Sequence, residues 1–440
     1  KRPVIRLDMS RAGAEPETLR SYLDITFDRL EKEYGITPKP TAQLADRFNA
    51  IIVGSYEQTG QQVAILIDEY DSPLQHSWKT PHHEACTAIY REVFAVLKSQ
   101  DKYEKFVFIT GITKFTQISL FSVLNNLSNI SFEPEYAAIC GITKEEVLRD
   151  FKPEINKLAE YENWTFDEAV AQLTAYYDGY HFSRRNMVDV FNPFSLINAL
   201  ADSDLKNYWA SSGATSMLPK FVDNMELKLR NFDPCTILRQ TIETSDVTGG
   251  GAELFLYQSG YLTIKGADLE FDAYMLDIPN KEVRVGLMKS LIPSYVTSDS
   301  HEVNSVVRNL ARNIVRGDMD EALKLLQAFL STVPYCDNTD YEGHYQQMLY
   351  VIFSLLGIYT DVEVHTLKGR VDMVLRTKTT LYLVELKLNQ NAKTAMKQID
   401  LQQYADRFAL CGLPVVKVAI NFSAETRTIA DWVISRETYA

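Results

Sequence analysis

Two carboxylates and a lysine near the C-terminus have the types and spacing for cutting a phosphodiester. They lie in Gly369-Arg370-Val371-Asp372-Met373-Val374 and in Leu383-Val384-Glu385-Leu386-Lys387. Both segments read as strands, and a turn centred between Lys378 and Thr379 sets Asp372 directly across from Glu385. Side chains alternate along a strand, so Glu385 and Lys387 share one face while Val384 and Leu386 take the other. Opposed like charges destabilise a sheet by roughly 0.2 to 1 kcal/mol. A hard divalent cation, Mg²⁺ or Mn²⁺, compensates, because it prefers oxygen ligands and keeps waters for chemistry. Such an ion polarises a phosphodiester and lowers the pKa of water, while Lys387 orients that water or offsets developing negative charge. The reaction implied is hydrolysis of a nucleic-acid backbone.

The elements around this hairpin read as helix 342–356, strand 362–365, strand 371–375, strand 381–388, helix 392–408 and strand 415–421, an αβββαβ order. Glu342 shares a helical stripe with Tyr345 and Leu349, which makes it a candidate third carboxylate ligand. Gln398 shares one with Leu401, Gln402 and Ala405, an unusual burial of amides unless they bond to something specific. Lys397 and Tyr404 are candidates for contact with a nucleic-acid backbone. An acidic-x-lysine strand is also what a solvated, cross-strand-paired face looks like; the element order and Glu342 favour the catalytic reading.

The Asp372 and Glu385-Leu386-Lys387 spacing, the αβββαβ order, Glu342 and Gln398 resemble the PD-(D/E)XK nuclease superfamily over residues 340 to 422. They resemble in particular its branch fused to an AAA-ATPase-like domain in uncharacterised bacterial proteins. The resemblance implies a restriction-endonuclease-like domain in which Glu342, Asp372 and Glu385 bind metal. It also implies catalytic roles for Asp372, Glu385, Lys387 and Gln398, with DNA as the substrate class.

Near the N-terminus, Val63-Ala64-Ile65-Leu66-Ile67 is followed by Asp68-Glu69-Tyr70-Asp71. A buried parallel strand ending in acids places them where open α/β sheets bind ligands. This is the Walker B pattern, in which Asp68 holds Mg²⁺ through water and Glu69 activates the attacking water; a solvated acidic turn is the structural alternative. The run Phe106 to Ile109 also reads as a buried strand, and Thr110 after it sits where a sensor residue feels a γ-phosphate. These phrases, with Tyr177-Asp178-Gly179-Tyr180 and Phe191-Asn192-Pro193-Phe194, resemble the AAA-ATPase-like domain over residues 3 to 215. A P-loop needs G-x-x-x-x-G-K-[ST] between strand and helix, and none occurs. The resemblance sets Pro3 to Asp8 at the strand after the P-loop unit, so this chain is expected to begin beyond its phosphate-binding element, through truncation or loss. ATP is then expected as a ligand only if that segment is restored, and no ATP turnover is expected from residues 1 to 440.

At 440 residues the chain exceeds a single core. The expected organisation is a P-loop-NTPase-like parallel α/β lobe at 1–215, a helical or winged-helix-like connector at 216–300 and the nuclease-like domain at 301–440. Within the connector, a short helix, strands 261–264 and 274–277 and a second helix are read between Ala252 and Tyr295. The 45 basic and 58 acidic residues give a net charge of −13, which excludes a uniformly phosphate-attracting surface. That excess is confined to the first 340 residues, with 34 basic and 48 acidic, against 11 and 10 after them. Five scattered cysteines with no CxxC argue against a disulfide framework or zinc knuckle. No signal peptide or membrane span is read, so a cytoplasmic protein is expected. His82-His83-Glu84 lacks a third metal ligand at suitable spacing, and neither a Ser nor a Cys nucleophile arrangement is present. The rivals to a nuclease are a non-catalytic nucleic-acid or protein-binding regulator, and a nucleotide-driven switch with a nuclease-like scaffold lobe.

Overall fold

Three short runs of apolar and β-branched residues form the first sheet: β1 (Val4–Asp8), β2 (Val63–Asp68) and β3 (Glu104–Ile109), in the order β1-β2-β3 with both pairs parallel. The computed structural model describes residues 2–112, 127–211, 235–244, 251–295, 300–332, 351–357, 361–367, 370–389, 391–393, 396, 413–423, 425–426 and 428–437. The chain divides into two units, one of Lys1–Ala137, Phe182–Met187 and Thr236–Leu276, the other of Ala138–His181, Val188–Cys235 and Asp277–Ala440.

In the first unit, β1 and β2 are joined through helices Pro16–Glu33 and Leu44–Thr59. The first helix starts with Pro at N1 and a capping box between Glu15 and Thr18, and buries Leu19, Leu23, Phe27 and Leu30 at helical spacing. The second packs Phe48 on Phe27, ring centroids 5.4 Å apart. Arg47 Nε and Nη2 fork onto the buried Glu31 carboxylate at 2.8 and 2.7 Å, the bidentate geometry that suits guanidinium. Phe106, expected inside a buried strand, is 54% exposed. Among the described residues it lies on the outer strand of this sheet, and it stacks on Phe108 at 5.9 Å. β6 (Cys235–Leu238), β7 (Thr263–Asp268) and β8 (Ala273–Asp277) make a further sheet in the order β6-β8-β7.

The second unit opens with β4 (Ile142–Thr143) paired to β5 (Val190–Phe191) around a helical cluster. It also holds a sheet of β9 (Asp361–Leu367), β10 (Arg370–Arg376), β11 (Leu381–Leu388), β12 (Val415–Ser423) and β13 (Thr428–Glu437). Their order is β13-β12-β11-β10-β9, with only β11 and β12 parallel. Strands β9 to β12 match the sequence reading, whereas β13 is additional. One face is apolar: Met373, Leu375, Val384 and Ile420 line a small cavity with Leu310, Ile314, Leu323 and Phe353 from the neighbouring helices. Tyr382 Oη donates to Ile314 O at 3.1 Å on that side. No helix among the described residues is long and apolar enough to cross a membrane.

At the start of β3, Glu104 is buried and its Oε1 has no hydrogen-bond partner among the described residues. Burial, with Asp101 nearby, raises its carboxyl from 4.5 to about 7. The folded state therefore keeps the proton after the unfolded chain has released it, and stability falls as pH rises from about 4.5 to about 7, then levels off. Glu104→Gln is expected to gain at most about 3 kcal/mol at pH 8 relative to pH 5, read as the difference between denaturant unfolding curves at the two pH values.

Candidate nuclease site

The connection Thr377 to Thr380 closes the hairpin that carries the acids. Thr377 N donates to Thr380 O at 2.9 Å and Thr380 N to Thr377 Oγ1 at 3.0 Å. From Arg376↔Leu381 the ladder runs back through Leu375↔Tyr382, Val374↔Leu383 and Met373↔Val384 to Asp372↔Glu385. Burying Tyr382, Val384 and Leu386 on the apolar face fixes this phase, since a one-residue slip would exchange the two faces. Glu385 and Lys387 consequently occupy the opposite face. Lys387 Nζ lies 2.8 Å from Glu385 Oε1, and the two are 6% and 2% exposed. A buried ammonium needs such a partner, because desolvation costs several kcal/mol per ion. The same face carries Leu381, Leu383, Val415 and Ala419, packed with Ala392 and Met396.

Sequence reasoning placed the next strand, β12, but singled out none of its polar residues. Parallel pairing sets Lys387 beside Asn421, Glu385 beside Ala419 and Leu383 beside Lys417. Lys417 and Asn421 are both buried. The signal was two polar residues four apart, hence on one face, in an otherwise apolar run, Lys417-Val418-Ala419-Ile420-Asn421. Asn421 Nδ2 donates to Asp431 Oδ1 at 2.6 Å, and Ala392 N donates to Asp431 Oδ2 at 3.1 Å. Glu342 and Gln398 lie outside the described residues, as do Lys397 and Tyr404.

In the first unit, Asp68 ends β2 and Thr110 follows β3. Thr110 Oγ1 donates to Asp68 Oδ1 at 2.6 Å, while Thr110 N donates to Ile67 O at 2.8 Å. The two residues read as Walker B-like and sensor-like thus touch. Glu69 adopts a left-handed backbone, φ 48°. Its carboxyl is raised by burial and then by the charges of Asp68, Asp8 and Asp71. Asp71, 1% exposed, accepts from Gln75 Nε2 and, at 3.2 Å, from Ile112 N. That closeness requires glycine next door: a Cβ on Gly111 would lie 2.4 Å from Asp71 Oδ1 and 2.6 Å from the Tyr70 ring.

Known proteins give matches to both units. Residues 1–121 match the family described as "Predicted AAA-ATPase", and residues 340–432 match the PD-(D/E)XK nuclease superfamily. Over 410 residues the chain is 30% identical to a protein of Azotobacter chroococcum mcd 1 named "Uncharacterized protein in vnfD 5'region", covering 88% of this chain and 74% of that protein. The chain belongs to this AAA-ATPase-like and PD-(D/E)XK nuclease family. No solved structure matches it. In this family member the acid-and-lysine hairpin falls inside the PD-(D/E)XK match, and Asp68 and Thr110 fall inside the AAA-ATPase-like one.

Because Lys387 is buried against Glu385, removing the carboxylate leaves an uncompensated ammonium. Glu385→Ala is expected to destabilise the second unit by about 3 kcal/mol or more, and Glu385→Gln, which keeps an acceptor, by less. Chemical denaturation of the full chain at pH 7 compares them; equal midpoints for the wild type and Glu385→Ala would contradict the buried-pair account.

Proposed function

We propose that the polar face of the C-terminal sheet is a divalent-metal-dependent nuclease site that hydrolyses phosphodiester bonds in DNA. The observation that carries this reading is the pairing of Asp372 with Glu385 across β10 and β11, with the Lys387 ammonium 2.8 Å from Glu385. Oxygen donors suit Mg²⁺ or Mn²⁺, and two acids in register on adjacent strands are better tolerated with a cation bound beside them. Asp372 and Glu385 are the residues that would hold it, with Glu342 proposed as a third ligand and Gln398 as a supporting polar group. When bound, the ion supplies Lewis acidity and makes a water more acidic. Lys387 contributes a fixed positive charge beside the acids. Buried as it is, that charge acts through a lower dielectric than water offers, which strengthens its pull on negative charge developing at phosphorus-bound oxygen. The near balance of 11 basic and 10 acidic residues after position 340 favours this part of the chain for contact with a polyanion over the acidic remainder.

The test is cleavage of end-labelled DNA by the full chain in Mg²⁺ or Mn²⁺. Chelation is expected to abolish cutting, and Asp372→Ala and Lys387→Ala to lower its rate by about 10² to 10³-fold while circular dichroism stays that of the wild type. Cutting that survives chelation, or variants as fast as the wild type, would sink the proposal in favour of a non-catalytic binding regulator.

A further inference from the structure

The helix Ser300–Arg316 packs on the apolar side of the C-terminal sheet. Val303, Val307, Leu310, Ala311 and Ile314 are buried at helical spacing. Leu310 and Ile314 line the small cavity together with Met373, Leu375 and Val384 of the strands that carry the acids, and Tyr382 Oη, donating to Ile314 O at 3.1 Å, pins the last turn. The opposite side of this helix is basic. From Asn304 to Arg316 the sequence holds three arginines and no acid. Arg308, Arg312 and Arg316 recur every four residues and are all exposed, so they make one stripe that advances about 6 Å per step over about 12 Å. None of the three has an ion pair among the described residues. Lys324 on the next helix, Met319–Thr332, is by contrast held by Asp320 at 2.7 Å and Glu321 at 2.9 Å.

Like charges four residues apart destabilise a helix, and a chain of net charge −13 has acids in plenty with which to offset them. A stripe of one sign on a firmly packed helix is what a polyanion complements. Guanidinium groups bind phosphate through two parallel bonds. Each strand of a duplex carries a phosphate about every 3.4 Å of axis, so the stripe is long enough for about three of them. Asn309 and Asn313 repeat at the same interval beside the arginines, and amides are among the groups that meet phosphate and sugar oxygens. Arg312 Nη1 donates to Asn309 Oδ1 at 3.4 Å, which ties the two rows together. A bilayer fits this helix poorly, because an interfacial helix inserts its apolar face, and here that face is already packed against the sheet.

We propose that Arg308, Arg312 and Arg316 form a contact surface for the backbone of duplex DNA, on the side of the sheet away from Glu385 and Lys387. The family matches, at 1–121 and 340–432, do not include this helix. The choice of DNA as the polyanion rests on the nuclease reading. The surface touches no reacting atom, so it acts on affinity and leaves the chemical step alone.

The experiment uses the full chain with Arg308→Gln, Arg312→Gln and Arg316→Gln, singly and combined. Binding of a fluorescent DNA duplex is followed by anisotropy in EDTA across a salt series. Each single variant is expected to make the slope of log K against log salt shallower by about 1, equally for duplexes of different sequence, and the triple variant by about 3. The combined lysine variant, which keeps the charges, should retain most of the slope. Single-turnover cleavage in Mn²⁺ at saturating DNA is expected to match the wild type in every variant. A triple glutamine variant with the affinity and slope of the wild type overturns the surface, whether or not DNA is cut, and so does a wild type that does not bind the duplex. Arginine-dependent binding of phosphatidylserine vesicles or polyglutamate, with DNA binding unchanged, overturns it in favour of a membrane or an acidic protein. A wild type that cuts nothing in Mn²⁺, yet binds the duplex with the arginine-dependent slope, retires the nuclease reading and supports the surface.

Discussion

The pairing of Asp372 with Glu385 constrains everything else in the C-terminal site. It is held from three directions: by the four-residue connection with its two Thr377 to Thr380 bonds, by the apolar face of Tyr382, Val384 and Leu386, and by the parallel seam between β11 and β12. These act on different groups, yet all specify the same phase. A slip of one residue would carry Glu385 and Lys387 onto the face packed by Leu310, Ile314 and Phe353, so register is enforced by packing remote from the acids.

The two units place their acids differently. Asp68 ends a parallel strand, is half-exposed, and is fixed by a neighbouring hydroxyl. Glu385 is central in its strand, nearly sealed, and fixed by an ammonium from its own strand. A strand end leaves acids open to a ligand arriving from beyond the sheet, whereas the Glu385 position demands a compensating charge before any ligand comes. The first arrangement leans on loop geometry, and it is there that Glu69 adopts a left-handed backbone.

Much of this was readable before any coordinates. Turn-centre arithmetic at Lys378 and Thr379 led directly to the register found between β10 and β11, because a tight hairpin leaves little freedom once its centre is known. The positions of Asp68 and Thr110 at the ends of neighbouring strands were legible as well. What escaped notice has physical reasons. β13 was missed because its bulge at Ala430 breaks the period of two on which a strand is recognised. Asn421 was passed over because apolar neighbours on both faces of β12 conceal the alternation. β6 joins β8 across a long stretch of sequence, a partnership that local pattern does not encode, and β3 has the composition of a central strand although it is the outer one among the described residues.

The contact at Gly111 reaches further than its size suggests. Asp71 and Tyr70 crowd the backbone there so closely that a single methyl group has no room, which welds the ends of two neighbouring strands into one rigid corner. Mutational saturation at this codon would return glycine almost alone, even though the residue offers no functional group, so intolerance to change there would report the tightness of a joint rather than participation in chemistry.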